Sequence, residues 1–207
     1  MIVLELILFF FSIIIISVAI AGFGSLLSIK TVNNFFLDIC FGLIIISILI
    51  TTFHFFYEIK SFLKILILLI GLTIFFKKKN LADFKLLIKK KNFFYLVIIG
   101  LLIPMFVSQK YHEDFGYYHL PYALAFLEEK IVFGFANIDR TFVYNSIWLN
   151  LYSIFFLEDK NYNYLTFPSF LLFLSFIIFS IDKILKQEYS KISNYYLTIV
   201  LFYFLLK

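Results

Sequence analysis

The chain contains few of the residues that cross-link or interrupt a fold. Its 207 residues include one cysteine, three prolines and seven glycines. A single cysteine excludes a disulfide within the chain, and Cys40, inside an apolar run, is expected to be an inert buried thiol. The motifs CxxC, HExxH, GxGxxG and the Walker glycine loop do not occur. The zinc, dinucleotide and nucleotide-phosphate sites that those motifs build are therefore not predicted.

Charged residues are also scarce, and apolar residues take their place. Charged side chains make up 15% of the chain and hydrophobic ones 63%, whereas a water-soluble domain averages about 45–50% apolar residues. The 18 basic residues outnumber the 13 acidic ones, but they lie between apolar segments, which is typical of membrane topology signals. We therefore expect the lipid bilayer as a partner, and we do not expect nucleic acid.

The apolar segments predict an all-α fold, a polytopic transmembrane helical bundle. The hydrocarbon core of a bilayer is about 30 Å thick and needs about 20 apolar residues of helix. The first segment lacks a basic start and a small-residue cleavage site, which favours a retained helix over a signal peptide. About six spans are predicted, at residues 2–27, 35–57, 59–76, 93–107, 165–184 and 194–206.

Asp38 and His54 lie near the two ends of the second predicted span, and Lys64 lies near the start of the third. For Asp38 and His54, a place at the membrane interface is favoured over a role in a proton path. Lys64 has a side chain long enough to reach the interface from inside the bilayer.

The distribution of charge predicts the topology. Residues 77–91 hold seven lysines and one acid, Asp83, which favours the cytoplasm. Residues 108–163 hold four basic and seven acidic residues, a net charge of 4 − 7 = −3, which favours the outer side. The predicted protein is a multi-pass plasma membrane protein with an external N-terminus. Its N-terminal region, 1–92, ends in the basic loop, and 93–207 flanks the large extracytoplasmic loop.

The loop 108–163 is expected to carry two interfacial helices. Pro121 suits the first turn of a helix over residues 120–131. Residues 141–157 predict an amphipathic helix on the membrane surface. Its polar arc would hold Asn145, Ser146, Asn150 and Ser153, and its apolar arc would hold Ile147, Trp148, Leu151, Ile154 and Phe155.

The candidate functional residues lie beside these helices. Glu113, Asp114 and His119 precede the first helix, where free backbone N–H groups suit a bound phosphate. Simpler interpretations stay open for each residue. The acid pair fits solvated loop charge, His119 fits interfacial packing, and Arg140 fits a lipid headgroup contact.

The order of residues in this loop resembles that of a known class of membrane enzymes. Asp114 is followed by Tyr118–His119, GFAN at 134–137, Arg140 and NSIW at 145–148. This pattern is similar to the GT-C class of integral-membrane glycosyltransferases, and in particular to a group of bacterial membrane proteins of that type. The resemblance implies transfer of a sugar from a polyprenyl-phosphate-linked donor to an envelope glycan, lipid or protein acceptor.

The resemblance also implies roles for individual residues. Asp114 would act as the general base or as a metal ligand, and Glu113 would assist it. Arg140 and His119 would contact the phosphate, and Asn145 would orient sugar hydroxyls. Tyr118 and Asn137 would complete the substrate site. A divalent cation, Mg or Mn, is the cofactor that fits the acid pair, and its use is left open.

One alternative function comes from a different class. Members of the GT-C class have several hundred residues and more helices, so the resemblance implies that this chain is a fragment. A non-enzymatic membrane subunit for transport, assembly or lipid binding is the second hypothesis. The sequence does not determine the oligomeric state.

Overall fold

The structure is a computed structural model, and every regular element in its described part is helical. It describes residues 2–27, 34–78, 97, 99–104, 116–117, 120–134, 137, 147–155, 167–186, 193, 196 and 198–200. Six helices are defined: α1 (Ile2–Gly24), α2 (Phe35–His54), α3 (Ser61–Lys78), α4 (Leu120–Glu128), α5 (Ile147–Phe155) and α6 (Phe167–Lys186). The described residues contain no strand. The predicted all-α fold is thereby confirmed, and each helix lies within or within two residues of a predicted segment.

Helix α1 lies between α2 and α3, and glycines let the three backbones touch. A Cβ atom on Gly42 would overlap the carbonyl group of Ile20, and one on Gly22 would overlap that of Gly71. Gly24 and Gly71 meet backbone atoms of the neighbouring helix in the same way. Small residues at helix contacts are typical of membrane bundles, because there packing replaces the hydrophobic effect as the driving force.

The helix contacts define two chemically different ends of the bundle. Gly24 meets Asp38 and Gly42 meets Ile20, so α1 and α2 are antiparallel. The Lys78 ammonium group at the end of α3 donates to the Ser25 carbonyl after α1 (3.0 Å). We call this the lysine end, and it holds the last turns of α1 and α3 and the first turn of α2.

Helices α4 and α5 pack at the opposite end, which we call the short-helix end. Three hydrogen bonds join the end of α4 and the residues just after it to the last residue of α2 and the segment that follows. The Ile59 N–H donates to the Phe126 carbonyl (3.0 Å), the Ile131 N–H to the His54 carbonyl (3.1 Å), and the His54 ring to the Glu129 carbonyl (2.9 Å). The bonds satisfy carbonyl groups that a helix end leaves without an intrahelical partner.

Helix α6 runs from the short-helix end to the lysine end. Its first residue, Phe167, makes ring contacts with Phe155 of α5 (5.7 Å) and Phe9 in the first half of α1 (5.6 Å). Since Phe9 lies far from Gly24 along α1, α6 is parallel to α1 and antiparallel to α2. The last turns of α6, with Lys183, therefore lie at the lysine end.

Several polar side chains are more deeply buried than the sequence indicates. Asp38 and His54 are 0% exposed and Lys64 is 3% exposed, so all three lie against other helices. The Lys64 side chain packs inside the bundle and not along an exposed face, and its reach toward the membrane interface stays a prediction. Asp38 and His54 lie in the first and last turns of α2, and their place at a membrane interface stays a prediction. A face made by neighbouring helices covers each of them.

The outer faces of the long helices are apolar and exposed. Within the described residues, two helical stretches are long and apolar enough to cross a membrane, Ile7–Gly24 and Phe35–His54. Helix α3 carries Lys64, Lys77 and Lys78, and the apolar part of α6, Phe167–Ile181, is shorter. Large apolar side chains point away from the bundle, for example Phe11, Ile15, Ile44, Ile48, Ile65 and Leu69. Contiguous exposed apolar surface of this kind is typical of contact with lipid or with another protein.

A glycine substitution at a helix contact tests this packing. Gly42→Ala places a methyl group against the Ile20 carbonyl and should lower the unfolding free energy by about 1–3 kcal/mol. Gly100→Ala is the matched control, because its Cβ meets nothing within 4 Å and Ala favours a helix by about 0.5–1 kcal/mol. Thermal unfolding in detergent measures both variants. Equal stability of the two would contradict the close approach of α1 and α2.

Candidate functional site

Most of the predicted site residues lie outside the described residues. Glu113, Asp114, Tyr118, His119, Arg140 and Asn145 belong to this group. Their described neighbours are nevertheless informative. Helix α4 begins at Leu120, directly after His119, and α5 begins at Ile147, two residues after Asn145. In the sequence, each predicted site segment therefore comes shortly before the first residue of a short helix.

Asn137 is the one predicted site residue that the structure describes. It is exposed, and its N–H donates to the Gly134 carbonyl (2.9 Å). Gly134 has φ +85°, a conformation that side chains disfavour, so the GFAN segment begins with a tight turn that requires glycine. The Asn137 amide points toward this glycine, and a Cβ there would lie 3.5 Å from its nitrogen. The arrangement explains the glycine by backbone geometry, and a substrate role for Asn137 stays a prediction.

Helices α4 and α5 pack against each other through a polar contact. The Ser153 hydroxyl donates to the Ala123 carbonyl of α4 (3.2 Å) and to the Leu149 carbonyl of its own helix (3.1 Å). Both Ser153 and Asn150 are buried. The predicted polar arc of α5 therefore faces the protein interior at these two positions, and the expectation that it faces water is wrong. Ile147, predicted for the apolar arc, is exposed.

A buried hydrogen-bond network joins α2, α4 and α5 at the short-helix end. The Asn150 amide nitrogen donates to the Thr51 hydroxyl (3.2 Å). His54 lies one turn further along α2, with its ring edge toward Phe126 (4.6 Å between ring centroids). Because the Glu129 carbonyl can only accept, His54 Nε2 must carry the proton in the 2.9 Å bond. The neutral imidazole then presents Nδ1 as an acceptor.

The orientation of the Asn150 amide completes this network. Within the described residues, His54 Nδ1 and Asn150 Oδ1 are buried and neither makes a hydrogen bond, although the two side chains are close neighbours. The oxygen and nitrogen of an amide are nearly identical in shape. Exchanging them lets Asn150 donate to Nδ1 and accept from the Thr51 hydroxyl. All three side chains are then satisfied, with His54 held as the Nε2–H tautomer.

A second polar cluster lies between α5 and α6. The Trp148 ring N–H donates to the Tyr152 hydroxyl (2.9 Å) and approaches the Ser169 hydroxyl (3.3 Å). The Tyr152 and Ser169 hydroxyls are 2.7 Å apart. The three groups satisfy one another, so this cluster fixes the start of α6 against α5.

An apolar groove of about 590 Å³ opens between α2 and α6, and we call it the α2–α6 groove. Its volume is within the usual range of about 300–1,000 Å³ for small-molecule sites. Helix α2 contributes Phe36, Leu37 and Cys40, while α6 contributes Leu172, Phe173, Phe176, Phe179 and three serines, Ser169, Ser175 and Ser180. Trp148 closes the groove at the short-helix end. The polar cluster of Trp148 thus borders a cavity that sequence analysis did not predict.

Sequence analysis also missed the network of His54 and Asn150. The two residues are 96 positions apart, and only the packing of α5 on α2 brings them together. One signal was present in the sequence, since Asn150 and Ser153 share a helix face. That pattern fits a water-facing arc and a polar contact between helices equally well.

Metal binding has no candidate within the described residues. No group of three or more His, Cys, Asp or Glu side chains there could hold an ion. The predicted cation site depends on Glu113 and Asp114, which lie outside that part of the chain, and stays a prediction.

Substituting neighbouring threonines tests the buried network. Thr51→Val removes the partner of Asn150 and should lower the unfolding free energy by about 1–2 kcal/mol. Thr52→Val is the matched control. Its exposed hydroxyl donates to the Ile48 carbonyl of its own helix, so a change within about 0.5 kcal/mol is expected.

The double variant Thr51→Val/Asn150→Leu extends this test. It should lose less stability than the sum of the two single changes, because contacting partners are coupled. Thermal unfolding in detergent measures the four variants, Thr51→Val, Thr52→Val, Asn150→Leu and the double variant, against the unaltered protein. Additive losses, or equal losses at positions 51 and 52, would contradict the network.

Comparison with known proteins gives a family without a described activity. No curated protein and no solved structure matches the chain. Residues 2–207 match the family described as Domain of unknown function (DUF8201). Because this match covers nearly every residue, the chain belongs to the DUF8201 family.

Proposed function

We propose that the chain is the membrane-embedded, glycosyltransferase-like part of a GT-C-type protein. It uses a polyprenyl-phosphate-linked sugar and acts on the extracytoplasmic side of the plasma membrane. The observation that carries this proposal is the joint position of α4 and α5. Both short helices pack at the end of the bundle opposite the lysines, and each follows a segment of predicted site residues. Asp114 and Arg140, distant in sequence, are thereby connected to one packed unit.

The distribution of lysines supports a topology of about six spans. Lys78 and Lys183 lie at the same end of the bundle, and they lead into the two lysine-bearing loops predicted to be cytoplasmic. The exposed apolar side chains of α3, such as Ile65 and Leu69, support a span there despite its lysines. Burial of Lys64 inside the bundle removes that charge from contact with lipid.

The short helices are suited to the membrane surface by their length. Each has nine residues and so spans about 14 Å, under half of the bilayer core. The hydrogen bonds of His54, Ile59 and Asn150 hold them on the bundle, and Ser153 joins α5 to α4. In this proposal they form a rigid base for the loop residues, and Asp114 acts as base or metal ligand while Arg140 and His119 bind phosphate.

One observation favours the second candidate, a transport subunit without enzymatic activity. Asp38, Lys64 and His54 are buried in the long helices, where ionisable residues commonly mark ion or substrate pathways. That function would depend on Asp38, whereas sugar transfer would depend on Asp114.

Substitution of the loop aspartate tests the catalytic proposal. Asp114→Asn in the full-length protein should lower sugar transfer from a lipid-linked donor by about 10²–10⁴-fold. The amount of protein in the membrane should stay unchanged, because Asn keeps the shape of Asp and caps a helix about equally well. Glu128→Gln, at the exposed end of α4, is the control and should retain activity. Full activity of Asp114→Asn would reject the catalytic role and favour the subunit.

Accessibility labelling tests the proposed sides of the membrane. In a Cys40→Ser background, Ser108→Cys should react with an impermeant thiol reagent in intact cells, while Lys85→Cys should react only after lysis. The physical reason is the excess of lysine in the 77–91 segment. Labelling of position 85 from outside would invert the proposed topology.

A further inference from the structure

We propose that the α2–α6 groove binds a glycerophospholipid of the bilayer. One acyl chain lies in the groove, and the phosphate group lies at the lysine end beside Ser180 and Lys183. The proposal does not rest on sugar transfer, because it concerns the opposite end of the bundle from the predicted catalytic loop.

Two buried hydroxyl groups indicate a ligand with acceptor oxygens. Ser175 and Ser180 are 1% and 0% exposed, and both line the groove. Neither hydroxyl has a hydrogen-bond partner within the described part of the chain. Since buried polar groups are nearly always hydrogen-bonded, a ligand oxygen is a suitable partner for each.

The positive charge at the lysine end indicates an anionic headgroup. The Lys183 ammonium group lies 5.7 Å from the centroid of the Phe179 ring, and that ring lines the groove. Residues three apart share a helix face, so Lys183 lies one turn beyond Ser180. An ammonium group and a hydroxyl donor together suit a phosphate. Ser175 lies about 7.5 Å from Ser180 along the helix axis, on the side away from the lysine end. A glycerolipid has its ester carbonyls at about this distance from its phosphate.

The remainder of the groove is suited to a hydrocarbon chain. Phe36, Leu37, Phe173 and Phe176 form apolar walls. The eleven residue-to-residue steps from Ser169 to Ser180, each about 1.5 Å, give a length of about 16 Å along α6. At the far end the polar groups of Trp148, Tyr152 and Ser169 bond to one another. Because these groups already bond to one another, they do not need a headgroup as a partner. The headgroup is therefore assigned to the lysine end, and the end of the acyl chain lies near Trp148.

The groove is continuous with the exposed apolar surface. Leu172 lines it and is 41% exposed, and the exposed Phe41 follows Cys40 on α2. A lipid can therefore enter sideways from the bilayer without crossing a polar barrier. This continuity favours a bilayer phospholipid over a water-borne ligand.

The natural sequence provides two reporters for the test. Trp148 is the only tryptophan, Cys40 is the only cysteine, and both line the groove. The full chain in detergent is titrated with phosphatidylglycerol whose acyl chains carry bromine, which quenches tryptophan fluorescence. Bromine near the terminal methyl group should quench Trp148 more strongly than bromine near the ester, and the quenching should saturate. Alkylation of Cys40 should slow over the same concentration range.

Two substitutions test the headgroup contacts. Ser180→Ala and Lys183→Gln should each weaken binding about tenfold or more, because hydrogen bonds to charged groups are among the strong ones. Diacylglycerol with the same brominated chains lacks the phosphate and should also bind at least tenfold more weakly. Ser12→Ala on the outside of α1 and Lys60→Gln at the other end of the bundle are matched controls and should bind normally.

Three results would overturn the proposal. Quenching that rises in proportion to lipid without saturation would show ordinary surrounding lipid. Stronger quenching by bromine near the ester would reverse the orientation of the lipid. Unchanged affinity in both Ser180→Ala and Lys183→Gln would remove the headgroup site. The first two results are measured on the unaltered protein, which carries both reporters. They therefore test the proposal even if a variant fails to fold.

Discussion

The contact of the α1 backbone with the backbones of α2 and α3 is the constraint on which the rest of the structure depends. Gly22, Gly42 and Gly71 allow carbonyl groups of neighbouring helices to occupy the space of a side chain. Dispersion and weak polar contacts then act over whole helix lengths, which matters where lipid provides no hydrophobic force between helices. The depth of this packing also buries Asp38, whose backbone carbonyl meets Gly24.

The fixed position of α2 in turn determines where the short helices lie. In the last turn of α2, Thr51 contacts Asn150, and His54 contacts Glu129 and Phe126. Hydrophobic contact alone would let α4 and α5 slide over the bundle. Directional bonds from Ile59, Ile131 and His54 specify one position, because each misplacement would leave a buried polar group without a partner.

The sequence was sufficient for the helices and insufficient for their polar contacts. Hydropathy and length locate α1, α2, α3 and α6, because an apolar run of about 20 residues has few alternatives to a helix in lipid. Pro121 gave the start of α4 to within one residue. The orientation of α5 was mistaken because Asn150 and Ser153 look the same to a periodicity analysis whether they face water or Thr51 and Ala123. Which case holds depends on α2 and α4, which lie about 100 and 30 residues away.

The candidate sites differed in predictability for a related reason. The residues of the loop, such as Asp114 and Arg140, could be proposed because polar groups are rare in this chain and cluster there. The α2–α6 groove left no such signal, since phenylalanine and leucine line it and its serines are common in membrane helices. Only the spacing of two packed helices produces a cavity. Its recognition required Ser175 and Ser180, whose hydroxyls are buried without partners in the described structure.

The two ends of the bundle therefore differ in chemistry, and in the proposed topology they face opposite sides of the membrane. At the lysine end, Lys78 already neutralises the carbonyl end of α1, and Lys183 adds positive charge beside a groove that opens toward lipid. At the short-helix end, the polar groups around His54 and Trp148 form hydrogen bonds with uncharged partners. The described charged residues there include the exposed Glu128 and the buried Lys64 in the first turn of α3. If both proposals hold, the protein binds lipid by its headgroup on one side of the membrane while its predicted loop carboxylates lie on the other. The same helices, α2 and α6, connect the two.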